Sequence, residues 1–160
     1  MARKSGYGGT AGETLTVKLI ERITINGKDY GSSQSFTINN ISNVSRRIVS
    51  VTNAANGTQI YEGGSAPGQG KHVSTNVKYI RITNLDEDRG ITLHLEGNSH
   101  YAQLKLGAGQ NFILSDPKFF DNANDIDSFS AETITKIEAK AEGSSYIDVE
   151  VFVADTAGVS

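Results

Sequence analysis

An all-β fold, an antiparallel β-sandwich of jelly-roll-like form, is what this sequence predicts, and three observations carry the prediction. Apolar and polar residues alternate with a period of two in one short run after another. Gly, Asn, Asp and Ser gather between the runs, where turns need a positive φ or a side-chain cap. Helical periodicity is nearly absent. Only residues 131–140 offer a helix face, through Ile134 and Ile137, and there the alternation of Ile137, Ala139 and Ala141 into the next turn favours a strand. About nine or ten strands follow, and chains of many short strands close as sandwiches or barrels.

Taken in order, residues 1–12 hold Gly6, Gly8, Gly9 and Gly12 with few apolar groups to offset the entropy of ordering them. They predict a flexible arm ahead of a single sandwich domain over 13–160. In residues 14–25, Leu15, Val17 and Leu19 alternate with Thr and Lys, and Asn26-Gly27 then gives a strong hairpin signal. Phe36, Ile38 and Ile41 mark the return strand. Residues 47–53 and 58–62 are two further strands able to pair across the turn at Asn56-Gly57. The glycine-rich loop 63–70 is long enough to let the chain change sheets.

The clearest signal lies in residues 78–116, KYIRITNLDEDRGITLHLEGNSHYAQLKLGAGQNFILSD. Ile80 and Ile82, Leu93 and Leu95, Leu104 and Leu106, and Phe112 and Leu114 mark four buried stripes separated by LDEDRG, GNSH and GAGQ. An antiparallel meander is expected, with Tyr79, Arg81, His94, Glu96 and Tyr101 on its exposed face. Residues 117–130 carry Phe119, Phe120 and Phe129 among acids and asparagines without a clean period. A closing hairpin is expected about Glu142-Gly143-Ser144, its second strand burying Ile147, Val149, Val151 and Val153.

Composition narrows the function classes. The 160 residues suit one domain with a substantial core. A net charge of −3 gives no general attraction to nucleic acid or an acidic membrane surface. With no cysteine there is no disulfide framework, thiolate metal site or Cys nucleophile. Polar, glycine-rich residues follow the basic start where a signal peptide needs an apolar run, so synthesis in the cytoplasm without export is expected.

The candidate chemical motifs are weak. Residues 64–72, GSAPGQGKH, miss the phosphate loop: Ser65 stands at the first Gly position, His72 replaces the hydroxyl residue, and the sequence downstream is β. His94, Glu96 and His100 are the nearest approach to a metal or acid–base cluster, but they alternate with Leu93 and Leu95 and so belong to a wet or subunit-facing surface. No serine lies in a Gly-x-Ser-x-Gly elbow. Asp86, Glu87 and Asp88, and Asp121, Asp125 and Asp127, lack the spacing of a calcium loop, and acid-rich turns are usually solvated. Phe112, Phe119, Phe120 and Phe129 are expected in the core rather than in a sugar site. Neither a metal nor a cofactor is expected.

The run from 78 to 114, the acidic Phe-containing connector and the closing TKIEAKAEGSSYIDVEVFVAD together resemble small virion structural proteins of tailed bacteriophages, over residues 78–155. These are β-sandwich proteins that coat or cement the head, or form fibre and adaptor parts. The resemblance implies a structural role without enzyme activity: a capsid decoration protein on the virion surface, bound to the major capsid protein. Such a protein is expected to form a cyclic oligomer, as a homotrimer. The arm residues Arg3, Lys4 and Tyr7 are then expected to reach the capsid protein or a neighbouring subunit. The rival expectation is a receptor- or carbohydrate-binding fibre or adaptor module, with Tyr61, Tyr79, Tyr101 and His94 contacting glycans. A cupin-type enzyme is disfavoured because the cupin spacing is absent and His94 and Glu96 point outward.

Overall fold

The computed structural model describes residues 12–65, 72–120 and 131–156. Its strands are β1 (Glu13–Glu21), β2 (Thr24–Ile25), β3 (Lys28–Asp29), β4 (Ser32–Ile41), β5 (Asn43–Val51), β6 (Thr58–Gly64) and β7 (His72–Val73). After a 3-10 turn at Ser74–Asn76 come β8 (Val77–Asn84), β9 (Ile91–Glu96), β10 (Tyr101–Leu106), β11 (Asn111–Leu114), β12 (Lys118–Phe120), β13 (Ala131–Thr133), β14 (Lys136–Ala141) and β15 (Ile147–Asp155). One sheet has the order β10-β9-β14-β6-β7, the other β11-β8-β15-β5.

The eight long strands from β5 onward pair from the outside inward: β5 with β15, β6 with β14, β8 with β11, and β9 with β10. This nested pairing, folded over into two sheets, is the jelly roll. Ile60, Ile80, Ile82, Leu93, Ile137, Val149 and Val151 fill the space between the sheets. Ile147, Val149, Val151 and Val153 form the expected buried stripe.

Four expected hairpin connections are different in the structure. Residues 78–116 are not a meander, because β8 and β11 lie in one sheet and β9 and β10 in the other. LDEDRG and GAGQ are therefore arches between sheets, and only the β9–β10 link is a hairpin. Glu142-Gly143-Ser144 likewise joins β14 to β15 across the sandwich, and the turn at Asn56-Gly57 joins β5 to β6 in the same manner. Alternation reports one buried face but not which sheet lies against it. The arches are held by Asn84, which is fully buried and donates to the carbonyls of Arg89 and Gly107 at 2.8 and 3.0 Å. A buried amide requires such partners, and these tie the two arches to one point.

Outside the jelly roll lies a long hairpin. β1 and β4 pair antiparallel, Leu15 opposite Ile38 and Val17 opposite Phe36. The tip turns at Asn26 and Gly27, both left-handed at φ 51° and 75°, the geometry that Asn-Gly supplies with least strain. Leu15, Val17 and Ile38 pack on the outer face of the β8–β15 sheet against Tyr79, Phe152 and Ala154.

Candidate functional site

The largest feature that the jelly roll does not absorb is the distal part of this hairpin. Side chains alternate across a strand, so Leu15, Val17, Leu19 and Glu21 share one face of β1. The base of that face is seated on the sheet, yet Leu19 is 49% exposed and Phe36 on the partner strand 40%. Further out, Ile23, Ile25 and Tyr30 are each more than half exposed, and Ile20 opens to the other side. Single exposed apolar groups are ordinary; six in one two-stranded ribbon are an unusual concentration of exposed apolar area. Local contacts shape the tip: the Asp29 carboxylate accepts from the Gly31 amide at 2.7 Å, and Lys28 Nζ stands 5.2 Å from the Tyr30 ring centre.

The five residues expected on one exposed face divide between two. Tyr79 is buried beneath the hairpin base, its ring edge-on to Phe152, and burial pushes its phenol above the ordinary range. Arg81 is half-buried beside it and bonds to Glu150, which also accepts from Arg46 Nε at 2.8 Å. Neither is a free surface, because strand periodicity carries no sign of a second layer on the outer face. His94, Glu96 and Tyr101 lie on the opposite outer face of the sandwich. There the Tyr101 ring is 72% exposed and stacks on His94 at 5.5 Å, and Gln103 meets His94 Nδ1 at 3.1 Å. Tyr61, expected among the glycan contacts, is in the core. Arg3, Lys4 and Tyr7, like Asp121, Asp125, Asp127 and Phe129, lie outside the described residues.

The metal candidates change membership. Ligand atoms of His94, Glu96 and Glu138 come within 4.8 Å of one another. The Lys136 ammonium already supplies the positive charge, at 2.7 Å from Glu96 and 3.5 Å from Glu138. Glu96 in turn holds that ammonium above its ordinary range. His100 is not in the group; it faces Glu132 at 3.1 Å. The Asp86 carboxylate is spent on its own turn, accepting from the amides of Asp88 and Arg89 and from the Arg89 guanidinium. These bonds, the guanidinium first, hold it at about 2.

A cluster that sequence reasoning missed joins β5, β7 and β15. Ser45 Oγ is 2.9 Å from His72 Nε2, and His72 Nδ1 faces Asp155 Oδ2. His72 and Asp155 are buried, and Asn43 donates to the same carboxylate oxygen at 3.2 Å. The Tyr61 ring stacks on His72 at 6.2 Å, while its phenol has no hydrogen-bond partner among the described residues. Burial, then the Asp155 charge, push that phenol up. The connectivity is that of a nucleophilic triad. The adjoining cavity, however, is about 50 Å³, room for water-sized molecules and not for an acyl group facing both nucleophile and oxyanion donors. Ser45 also lies within a regular strand rather than on a sharp turn. The cluster is a polar pin between the sheets. Its members are 27 and 83 residues apart, so no local pattern announces it.

Among the described residues no helix is long and apolar enough to cross a membrane. Comparison with protein-family models, with curated proteins and with solved structures finds no match to this chain.

Proposed function

We propose that this chain is a structural protein of a bacteriophage virion, of the decoration or cement type. It binds the outside of the head through the major capsid protein, stabilises the shell, and acts without catalysis. The observation that carries this reading is the projecting hairpin, whose apolar residues Leu19, Ile23, Ile25, Tyr30 and Phe36 are exposed in the single chain. An isolated two-stranded ribbon is marginal in water, so a ribbon of this composition suits a protein that works in an assembly. The jelly roll is compatible with the role, since viral coat domains use it, but lectins and cupins use it as well.

The test is binding to expanded, undecorated heads of the encoding phage. Saturable binding that raises the temperature at which heads release DNA is the expected result, and removal of residues 19–36 should abolish it. Removal of residues 1–12 should weaken attachment without unfolding the domain. A full-length protein that leaves the heads bare overturns the reading.

A second reading, a receptor- or carbohydrate-binding fibre or adaptor module, is favoured by one observation. The exposed Tyr101 ring stacks on His94, and His94 and Gln103 line a groove of about 390 Å³ together with Glu138 and Lys140. An aromatic face flanked by polar groups suits a sugar ring. Under that reading Tyr101→Ala abolishes binding on a glycan array; no hit for the parent protein removes it.

A further inference from the structure

We infer that the occupant of the exposed hairpin face is a second copy of this chain: the distal hairpin of one subunit lies on the uncovered outer face of β5 of its neighbour. The inference gives the self-association within the proposed decoration role a defined pair of surfaces, and it rests on that reading only for the size of the ring.

The chain itself shows what this sheet face accepts. Leu15, Val17 and Ile38 of the hairpin base already cover Tyr79, Phe152 and Ala154 on the outer face of the β11-β8-β15-β5 sheet. That cover stops short of the edge strand. Opposite Ala154 and Glu150 on β15 stand Val44 and Ile48 of β5, 50% and 62% exposed. Leu19 continues the same apolar face of the hairpin beyond its seat, and Phe36, opposite the seated Val17, stays 40% exposed, so donor and acceptor are the unfilled halves of one kind of contact.

Charge supports the same match. Along the donor face the order is Val17, Leu19, Glu21, and along the acceptor face Val44, Arg46, Ile48. The Arg46 side chain is 68% exposed even while paired with Glu150, leaving donors for a further carboxylate. Glu21, beyond Leu19 on the hairpin, is an acid on the face that would meet it. Donor and acceptor are different patches, so every copy both gives and receives, and a closed ring satisfies all of them. Three copies is the number expected of the decoration role.

The experiment is light-scattering mass of the full chain at high micromolar concentration, beside Leu19→Asp, Ile48→Asp, Glu21→Arg, Arg46→Glu and the double exchange Glu21→Arg/Arg46→Glu. A closed oligomer is expected for the parent. Leu19→Asp and Ile48→Asp should each give a monomer with an unchanged circular dichroism spectrum and the thermal midpoint of the parent at concentrations where it is dissociated. Each single charge reversal should lower the oligomer fraction severalfold, and the double exchange should restore it. A monomeric parent, or an oligomer whose mass survives Ile48→Asp, overturns the inference. Because these readings need no heads, an oligomer that dissociates as described upholds the inference even where head binding fails, and that failure then falls on the proposed function alone.

Discussion

The jelly roll and the hairpin β1–β4 are built from the same residue types in the same alternating pattern, yet they use them in opposite ways. In the jelly roll, Ile80, Leu93 and Val149 meet a facing sheet and are fully buried. In the distal hairpin, Leu19, Ile23 and Phe36 stay 40–52% exposed and meet no facing layer among the described residues. The strand pattern is thus a statement about backbone and side-chain direction, and burial is a separate fact supplied by whatever packs above. The core's apolar residues hold the fold; the hairpin's are available to a partner.

That contrast can be broken most severely at the polar pin. Removing one partner of a buried hydrogen bond to a charged group leaves the other unsatisfied, at about 3 kcal/mol or more. His72→Phe and Asp155→Ala should each lose stability of that order in urea titration, with the double substitution costing less than the sum of the two. Additive losses would show that His72 and Asp155 do not act as a unit.

Next comes a matched pair of truncations. Leu93→Ala in the core should cost about 3 kcal/mol, since the cavity cannot collapse fully. Leu19→Ala in the hairpin should stay within about 0.5 kcal/mol in the dissociated chain, as for other surface positions. Equal losses at the two sites would erase the distinction between core and hairpin.

A smaller effect belongs to the hairpin tip. Gly27 has φ 75°, where a β-branched residue is strained by about 1–2 kcal/mol. Gly27→Val should speed amide exchange in residues 23–30 while leaving the global midpoint unchanged. The smallest effect is a pH dependence at the Asp86 turn. The carboxylate's pKa in the fold, about 2, is below its ordinary value. Its contribution is therefore fully present above the ordinary value and is lost as pH falls through about 2. Asp86→Ala should lower stability at neutral pH and flatten the acid limb over that window, so that the two proteins converge near pH 2.

Much of this was legible in the sequence, for local reasons. The strands, the Asn26-Gly27 turn and the stripe from Ile147 to Val153 follow from side-chain direction and turn chemistry, which act within a few residues. Partnering did not follow. LDEDRG and GAGQ satisfy a hairpin and an arch equally, and the choice is made by β15 and β14, which enter beside β8 and β9 from far along the chain. Tyr79 was expected on the wet side of β8 because the second layer covering it, Leu15 and Val17, lies more than sixty residues upstream. His72 stood out only as a flaw in a phosphate-loop pattern, and its partners Ser45 and Asp155 carry no signal of their own. The exposed surface of the hairpin was equally hidden: Leu19 and Phe36 look like core in one dimension, and only the end of the sheet beneath them shows otherwise.

Hydrogen exchange followed by mass spectrometry across a concentration series tests the central claim most directly, that the distal hairpin is an assembly surface and not a stabiliser of its own domain. Peptides from residues 19–36 should exchange fast in dilute protein and become protected as concentration rises, with the strands β8, β9, β14 and β15 equally protected throughout. A hairpin as protected in the dilute chain as those core strands, with no dependence on concentration, would contradict the account.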